Sequence, residues 1–145
     1  MSHYYYKIAA GVAAVLIQAF PGVATAATSS DTAKLPAKVE LVAGTTLKRV
    51  TLTPKAAERL DIQTGQITED ETGRKIAPYT SLFYDLAGET WVYTSPEALS
   101  FVRQKVVVES IKGGNVYLKD GPAKGEKVVT VGVSELFGTE KGGGK

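Results

Sequence analysis

The sequence predicts a mainly β protein, a small antiparallel β-barrel or sandwich with one short helix, preceded by a signal peptide. From Leu47 onward, runs of β-branched and aromatic residues recur about every ten residues, separated by Gly, Asp, Asn and Pro, as in short strands joined by tight turns. Hydrophobic residues make up 43% of the chain and charged residues 22%, enough apolar surface for a packed core. At the amino end an uncharged apolar run stops at a Pro-Gly pair and a small-residue triplet, the order of an export leader.

In that leader, Lys7 and the free amino terminus give a weakly positive start, and Ile8 to Phe20 is apolar except for Gln18. Pro21-Gly22 breaks the helix, and Ala24-Thr25-Ala26 offers small side chains where the signal peptidase inspects them. Residues 1–26 are therefore expected to be removed by cleavage between Ala26 and Ala27, taking Tyr4, Tyr5 and Tyr6 with them. The apolar run is well short of the ~20 residues that span a bilayer. Retention as a short anchor is the alternative, and in both cases the functional part lies outside the cytoplasmic membrane, in the periplasm or its equivalent.

Beyond the leader about 120 residues remain, one modest domain. Residues 27–43 are expected to be a flexible tether, since ATSSDTAKLPAK is small, polar and without a hydrophobic period. Leu47 to Leu52 reads as a strand ending at Thr53-Pro54, where Thr53 can cap a helix and Pro54 suits its first position; Lys55 to Leu60 then makes about two helical turns. Ile62 to Ile67 reads as a strand and Glu69 to Lys75 as an exposed charged turn. Tyr79 to Tyr84 and Thr90 to Ser95 form a hairpin around Asp85-Leu86-Ala87-Gly88-Glu89. Phe101 to Ile111 is the longest strand expected, turned back by Lys112-Gly113-Gly114-Asn115 into Val116 to Lys119. After a loop through Asp120-Gly121-Pro122 and Lys124-Gly125-Glu126 comes Lys127 to Gly132, and Ser134 to Phe137 adds a helical turn. The glycines from Gly138 onward predict fraying, so the β-domain is placed at 44–140 and a disordered tail at 141–145.

Three absences narrow the chemistry. The chain has no Cys, its only Met is Met1, and its only His is His3, so the mature domain would have none of the three. Zinc, copper and haem sites of the usual kinds then lack ligands, and Cys nucleophiles and His-based triads are excluded. No disulfide and no lipid anchor on an N-terminal Cys can form. The formal charge of +2, with Lys and Arg scattered along the chain, gives no electrostatic basis for binding nucleic acid.

Three stretches of the chain resemble the opening and the C-terminal part of a known family. Gly44 to Thr53 (GTTLKRVTLT) followed by Ala56 to Ile62 (AAERLDI) resembles the opening of the periplasmic adaptor subunits of RND efflux pumps, membrane fusion proteins of the HlyD-like class. Pro78 to Asp85 (PYTSLFYD) with Gly88 to Thr94 (GETWVYT) resembles the start of that family's C-terminal part, and Lys124 to Gly132 (KGEKVVTVG) resembles its end. The matches occur in the family's order across most of 44–140. In the family a long excursion carrying a β-barrel domain, a lipoyl-like domain and an α-helical hairpin separates the two ends, which meet in the membrane-proximal domain. Here a turn around Glu69 to Lys75 takes the place of the excursion. The resemblance implies a freestanding membrane-proximal domain that docks on an inner-membrane efflux transporter or a full-length adaptor, without the hairpin that reaches an outer-membrane channel.

Among the aromatics Trp91, Tyr93, Phe101, Tyr84 and Phe83, most are expected in the core. Strand alternation turns Phe83 and Tyr84, and likewise Val92 and Tyr93, to opposite faces, so one of each pair is exposed or meets another layer. The candidate interface is Phe83, Tyr84, Asp85, Glu89, Trp91 and Tyr93, with the loops Asp85 to Glu89 and Pro96 to Ser100 expected on one rim. Glu69-Asp70-Glu71 reads as a solvated turn rather than a cation site, because it lacks the Asp-x-Asp-x-Asp-Gly form. Asp85 with Glu89, and Glu97, lie on hairpin turns with no sign of a sugar cleft. Gly113-Gly114 and Gly142 to Gly144 are not phosphate loops, since no Gly-Lys-Ser/Thr motif accompanies them. No catalytic, metal or cofactor residue is assigned, and the expected activity is that of an exported, noncatalytic docking module. The alternative is an exported small-ligand or envelope-binding β-domain with no role in transport.

Overall fold

Short runs rich in β-branched and aromatic residues form the strands, and in the computed structural model, which describes residues 36–142, those strands assemble two sheets. Signal peptide, cleavage at Ala26–Ala27 and the first part of the tether lie outside the described residues. The chain forms β1 (Ala37–Leu41), β2 (Lys48–Leu52), α1 (Pro54–Arg59), β3 (Gln63–Gln66), β4 (Thr68–Glu69), β5 (Lys75–Pro78), a 3-10 turn at Tyr79–Ser81, β6 (Phe83–Tyr84), β7 (Thr90–Glu97), β8 (Ser100–Lys105), β9 (Val107–Lys112), β10 (Asn115–Asp120), β11 (Lys127–Val131) and α2 (Val133–Gly142). A seven-stranded antiparallel sheet runs β1-β2-β8-β7-β11-β3, with β6 pairing on β7; a four-stranded sheet runs β4-β5-β10-β9. The sheets do not close into a barrel, and the fold is sandwich-like.

The large sheet has a core on each face. Val50, Leu52, Tyr93, Phe101 and Val129 pack with Ala56 of α1 and with Val133 and Leu136 of α2. Val92 and Val128 point the other way, onto Ala77, Val116 and Leu118 of the small sheet. Val92 and Tyr93 are both 0% exposed because β7 lies between two layers, so alternation sends each neighbour into a different core.

The chain passes between the sheets at Ile67 (β3 to β4) and Val106 (β8 to β9), each 1% exposed in the inter-sheet core. Ile67 accepts from the Gly125 amide and donates to the Glu126 carbonyl, while Val106 donates to the Thr90 carbonyl, so both crossings keep their backbone paired. This corrects the single strand expected over Phe101 to Ile111. The consecutive valines Val106, Val107 and Val108 mark where one face pattern ends and another begins.

Other corrections concern the ends. Within the expected tether, Ala37–Leu41 is a strand paired to β2 in the register Ala37↔Leu52, Val39↔Val50, Leu41↔Lys48. An edge strand needs only one apolar face, and Ala37 and Val39 supply it while Lys38 and Glu40 pair outside at 2.7 Å. At the carboxyl end the expected helical turn is the ten-residue α2, which continues through Gly138, Lys141 and Gly142 into the expected tail. Val133, Leu136 and Glu140 share its buried stripe, and tertiary packing of that stripe outweighs the low helix propensity of the glycines. Gly132 (φ +89°) makes the β11–α2 junction, where a Cβ would stand 2.2 Å from Ile62 Cδ1.

The α1 start matches expectation. The Thr53 hydroxyl accepts from the Ala56 amide at 3.2 Å and Pro54 occupies the first turn. At the charged turn after β4, Asp70 Oδ1 accepts from the Thr72 amide (2.9 Å), the Thr72 hydroxyl (2.6 Å) and the Arg74 amide (3.0 Å). The Thr72 hydroxyl leads in holding the Asp70 carboxyl well below its ordinary value; slight burial opposes, and the Arg74 amide and guanidinium add to the lowering.

Candidate functional site

The candidate interface residues separate into a buried half and a braced loop. On β7, Trp91 and Tyr93 face the same way, and their cross-strand neighbours on that face are Phe83 beside Trp91, Lys105 beside Trp91 and Arg103 beside Tyr93. Because Arg49 pairs with Val102, Lys48 of β2 continues this row beyond Arg103. Lys48, Arg103 and Tyr93 thus lie in line across three adjacent strands, and all three meet Glu140 on α2.

Glu140 is 2% exposed. The Tyr93 hydroxyl donates to its Oε2 at 2.6 Å, Arg103 Nε lies 3.2 Å from its Oε1, and Lys48 Nζ donates to its backbone carbonyl at 3.2 Å. The Arg103 N–H is not aligned for a hydrogen bond, so that contact is an ion pair. Burial foremost, then the hydrogen bond and charge of Glu140, push the Tyr93 hydroxyl above its ordinary value, with Arg103 opposing. Phe83 stacks on Tyr93 (centroids 5.0 Å apart, planes 8° apart) and meets Phe137 of α2 at 5.4 Å.

Arg103 also covers Trp91, its guanidinium 4.6 Å from the ring centroid. The Trp91 indole N–H donates to Asp85 Oδ2 at 3.0 Å, and Asp85 Oδ1 accepts from the Ala87 amide (2.9 Å) and the Glu89 amide (3.0 Å). Burial works against ionisation of Asp85, but these donors and the Arg103 charge outweigh it and keep the carboxyl below its ordinary value. Glu89 pairs with Lys105 across the sheet. One continuous set of contacts therefore runs from the β6–β7 loop through Asp85, Trp91 and Arg103 to Glu140.

Of the six candidate interface residues, Tyr93 is a core residue at 0% exposure and Trp91 is buried, so neither presents a binding surface. Phe83 is half-buried against Tyr93 and Phe137. Tyr84 is exposed, and Asp85 and Glu89, both half-buried, shape and border the loop. The loops Asp85 to Glu89 and Pro96 to Ser100 do not share a rim: they flank opposite ends of the eight-residue β7, ~25 Å apart along the strand. Sequence reasoning missed Arg103 and Glu140. The helical spacing Val133, Leu136, Glu140 was the available signal for Glu140, obscured by the surrounding glycines.

Among the described residues no three His, Cys, Asp or Glu side chains converge as a metal-binding group, and no helix is long and apolar enough to cross a membrane. An open cleft of about 520 Å³ lies between the β7–β8 turn and the start of β11, where Thr94, Ser95, Glu97, Glu126 and Lys127 line it. Comparison with known protein families, characterised proteins and solved structures returns no match.

Proposed function

We propose that this protein is an exported, noncatalytic adaptor-like module that docks, through the β6–β7 loop side of its large sheet, on an inner-membrane efflux transporter or a full-length adaptor. The supporting observation is where the adaptor-like segments sit. The opening segment supplies β2 and α1 and leads directly into β3, the C-terminal segments supply β6, β7 and β11, and all of these strands belong to one sheet in which β11 pairs with β3. The two ends of the resemblance build one hydrogen-bonded unit, and the hairpin β4–β5, closed by Asp70, stands where the family has its long excursion. A domain of this size can bury roughly 800 Å² on a partner, adequate for a specific complex.

The open cleft beside Thr94 and Glu126 favours a second reading, an exported small-ligand or envelope-binding domain without a transport role. Deleting the gene separates the two. The docking reading expects greater sensitivity to at least one class among metals, dyes and antibiotics, restored by the unaltered gene but not by one whose Asp85 to Glu89 loop is a Gly/Ser linker. Unchanged sensitivity across all three classes would favour the ligand-binding reading.

A further inference from the structure

We propose that Leu86, at the tip of the β6–β7 turn, is the residue by which the module engages its partner, and that it fits an apolar pocket rimmed by Lys or Arg on a protein surface. This inference rests on the docking reading above and specifies its contact. Leu86 is 97% exposed. Isolated exposed leucines are common, but this one stands on a backbone fixed from both sides. The Asp85 amide donates to the Glu89 carbonyl at 3.0 Å, the Gly88 amide donates to the Asp85 carbonyl at 3.0 Å, and the Asp85 carboxylate holds the Ala87 and Glu89 amides. The same carboxylate receives the Trp91 indole N–H, and Trp91 lies under Arg103, which is paired to the buried Glu140. The turn is thus tied into the core before any partner arrives, and an apolar side chain presented on an ordered turn loses little entropy on binding. Tyr84, 57% exposed on the adjoining strand, extends the apolar surface.

The charges at the tip choose between a protein and a lipid surface. Asp85 and Glu89 border Leu86; Lys105 pairs with Glu89, and the Arg103 charge that acts on Asp85 is itself paired with Glu140, so the turn keeps a net negative charge. That charge complements a basic rim and is repelled by anionic headgroups. One leucine also buries too little to hold a domain on a bilayer.

The test places a photoreactive phenylalanine derivative at position 86 or, on the other sheet, at exposed position 111 of the full chain in native membranes. It is combined with Leu86→Asp, Leu86→Met and vesicles of phosphatidylglycerol with phosphatidylethanolamine. The expected result is a crosslink from position 86, and not from 111, to a transporter or full-length adaptor. Leu86→Asp should lower recovery of that partner about tenfold with an unchanged unfolding midpoint, while Leu86→Met retains it. Undiminished recovery with Leu86→Asp, or crosslinking from 111 in place of 86, would overturn the assignment of Leu86 and leave the docking reading standing. Recovery of neither partner with the unaltered protein overturns both. Vesicle binding that Leu86→Asp abolishes, without a protein crosslink from 86, identifies the tip as a lipid contact and overturns the protein pocket.

Discussion

Trp91→Ala is expected to lower stability by about 3 kcal/mol, the low end of the range for a buried Trp, and to loosen the β6–β7 turn. Trp91 is buried, yet it packs beside Phe83 and beneath the Arg103 guanidinium rather than in the middle of either apolar core. Removing the ring leaves a cavity at the sheet face, strips Asp85 of its indole donor and uncovers Arg103. For a domain whose total stability is ~5 to 15 kcal/mol, such a loss moves the denaturant midpoint visibly. Urea unfolding measures the global cost, and amide exchange at Ala87 and Glu89 measures the turn. A midpoint close to the parental one would show that Trp91 contributes to a binding surface rather than to the fold.

Glu140→Ala should cost about 3 kcal/mol or more, because it leaves the Arg103 charge and the Tyr93 hydroxyl buried without their partner and frees the last turn of α2. Glu140→Gln keeps an acceptor for Tyr93 and should lose less. The pH dependence carries a second signature. The Tyr93 hydroxyl is raised in the folded state above its ordinary value of 10.0, so its contribution is fully present below that pH. As pH climbs past about 10 the unfolded tyrosine ionises while the folded one does not, and stability falls; Tyr93→Phe should flatten that decline. A Glu140→Ala variant that unfolds at the parental midpoint would show that α2 is held by Val133, Leu136 and Phe137 alone.

How much was legible in the sequence depends on how local each signal is. The Thr53-Pro54 start of α1, the Asp85 to Glu89 turn and the Gly113-Gly114 turn are each written within a few residues, and each stands where expected. The mainly β class comes from the recurrence of such signals. Val106 and Ile67 are different, because a strand leaves one sheet for another only in response to distant partners: Thr90 for the first, Gly125 and Glu126 for the second. Ala37–Leu41 has its two-residue period, but a single polar-flanked edge strand becomes visible only once β2 stands beside it. That most of the aromatics are core was legible and holds for Trp91, Tyr93 and Phe101, but what covers them was not. Alternation puts Trp91 and Tyr93 on one face without saying that α2 covers that face, and α2 itself runs through glycines that local propensity counts against.

Action by contact with a transport complex is tested most directly by crosslinking the protein in its native membranes and identifying the molecules purified with it. An efflux transporter or a full-length adaptor is the expected partner, lost when the Asp85 to Glu89 loop is replaced by a neutral Gly/Ser linker. Recovery of the protein free and monomeric, with neither partner attached, would contradict that mode of action.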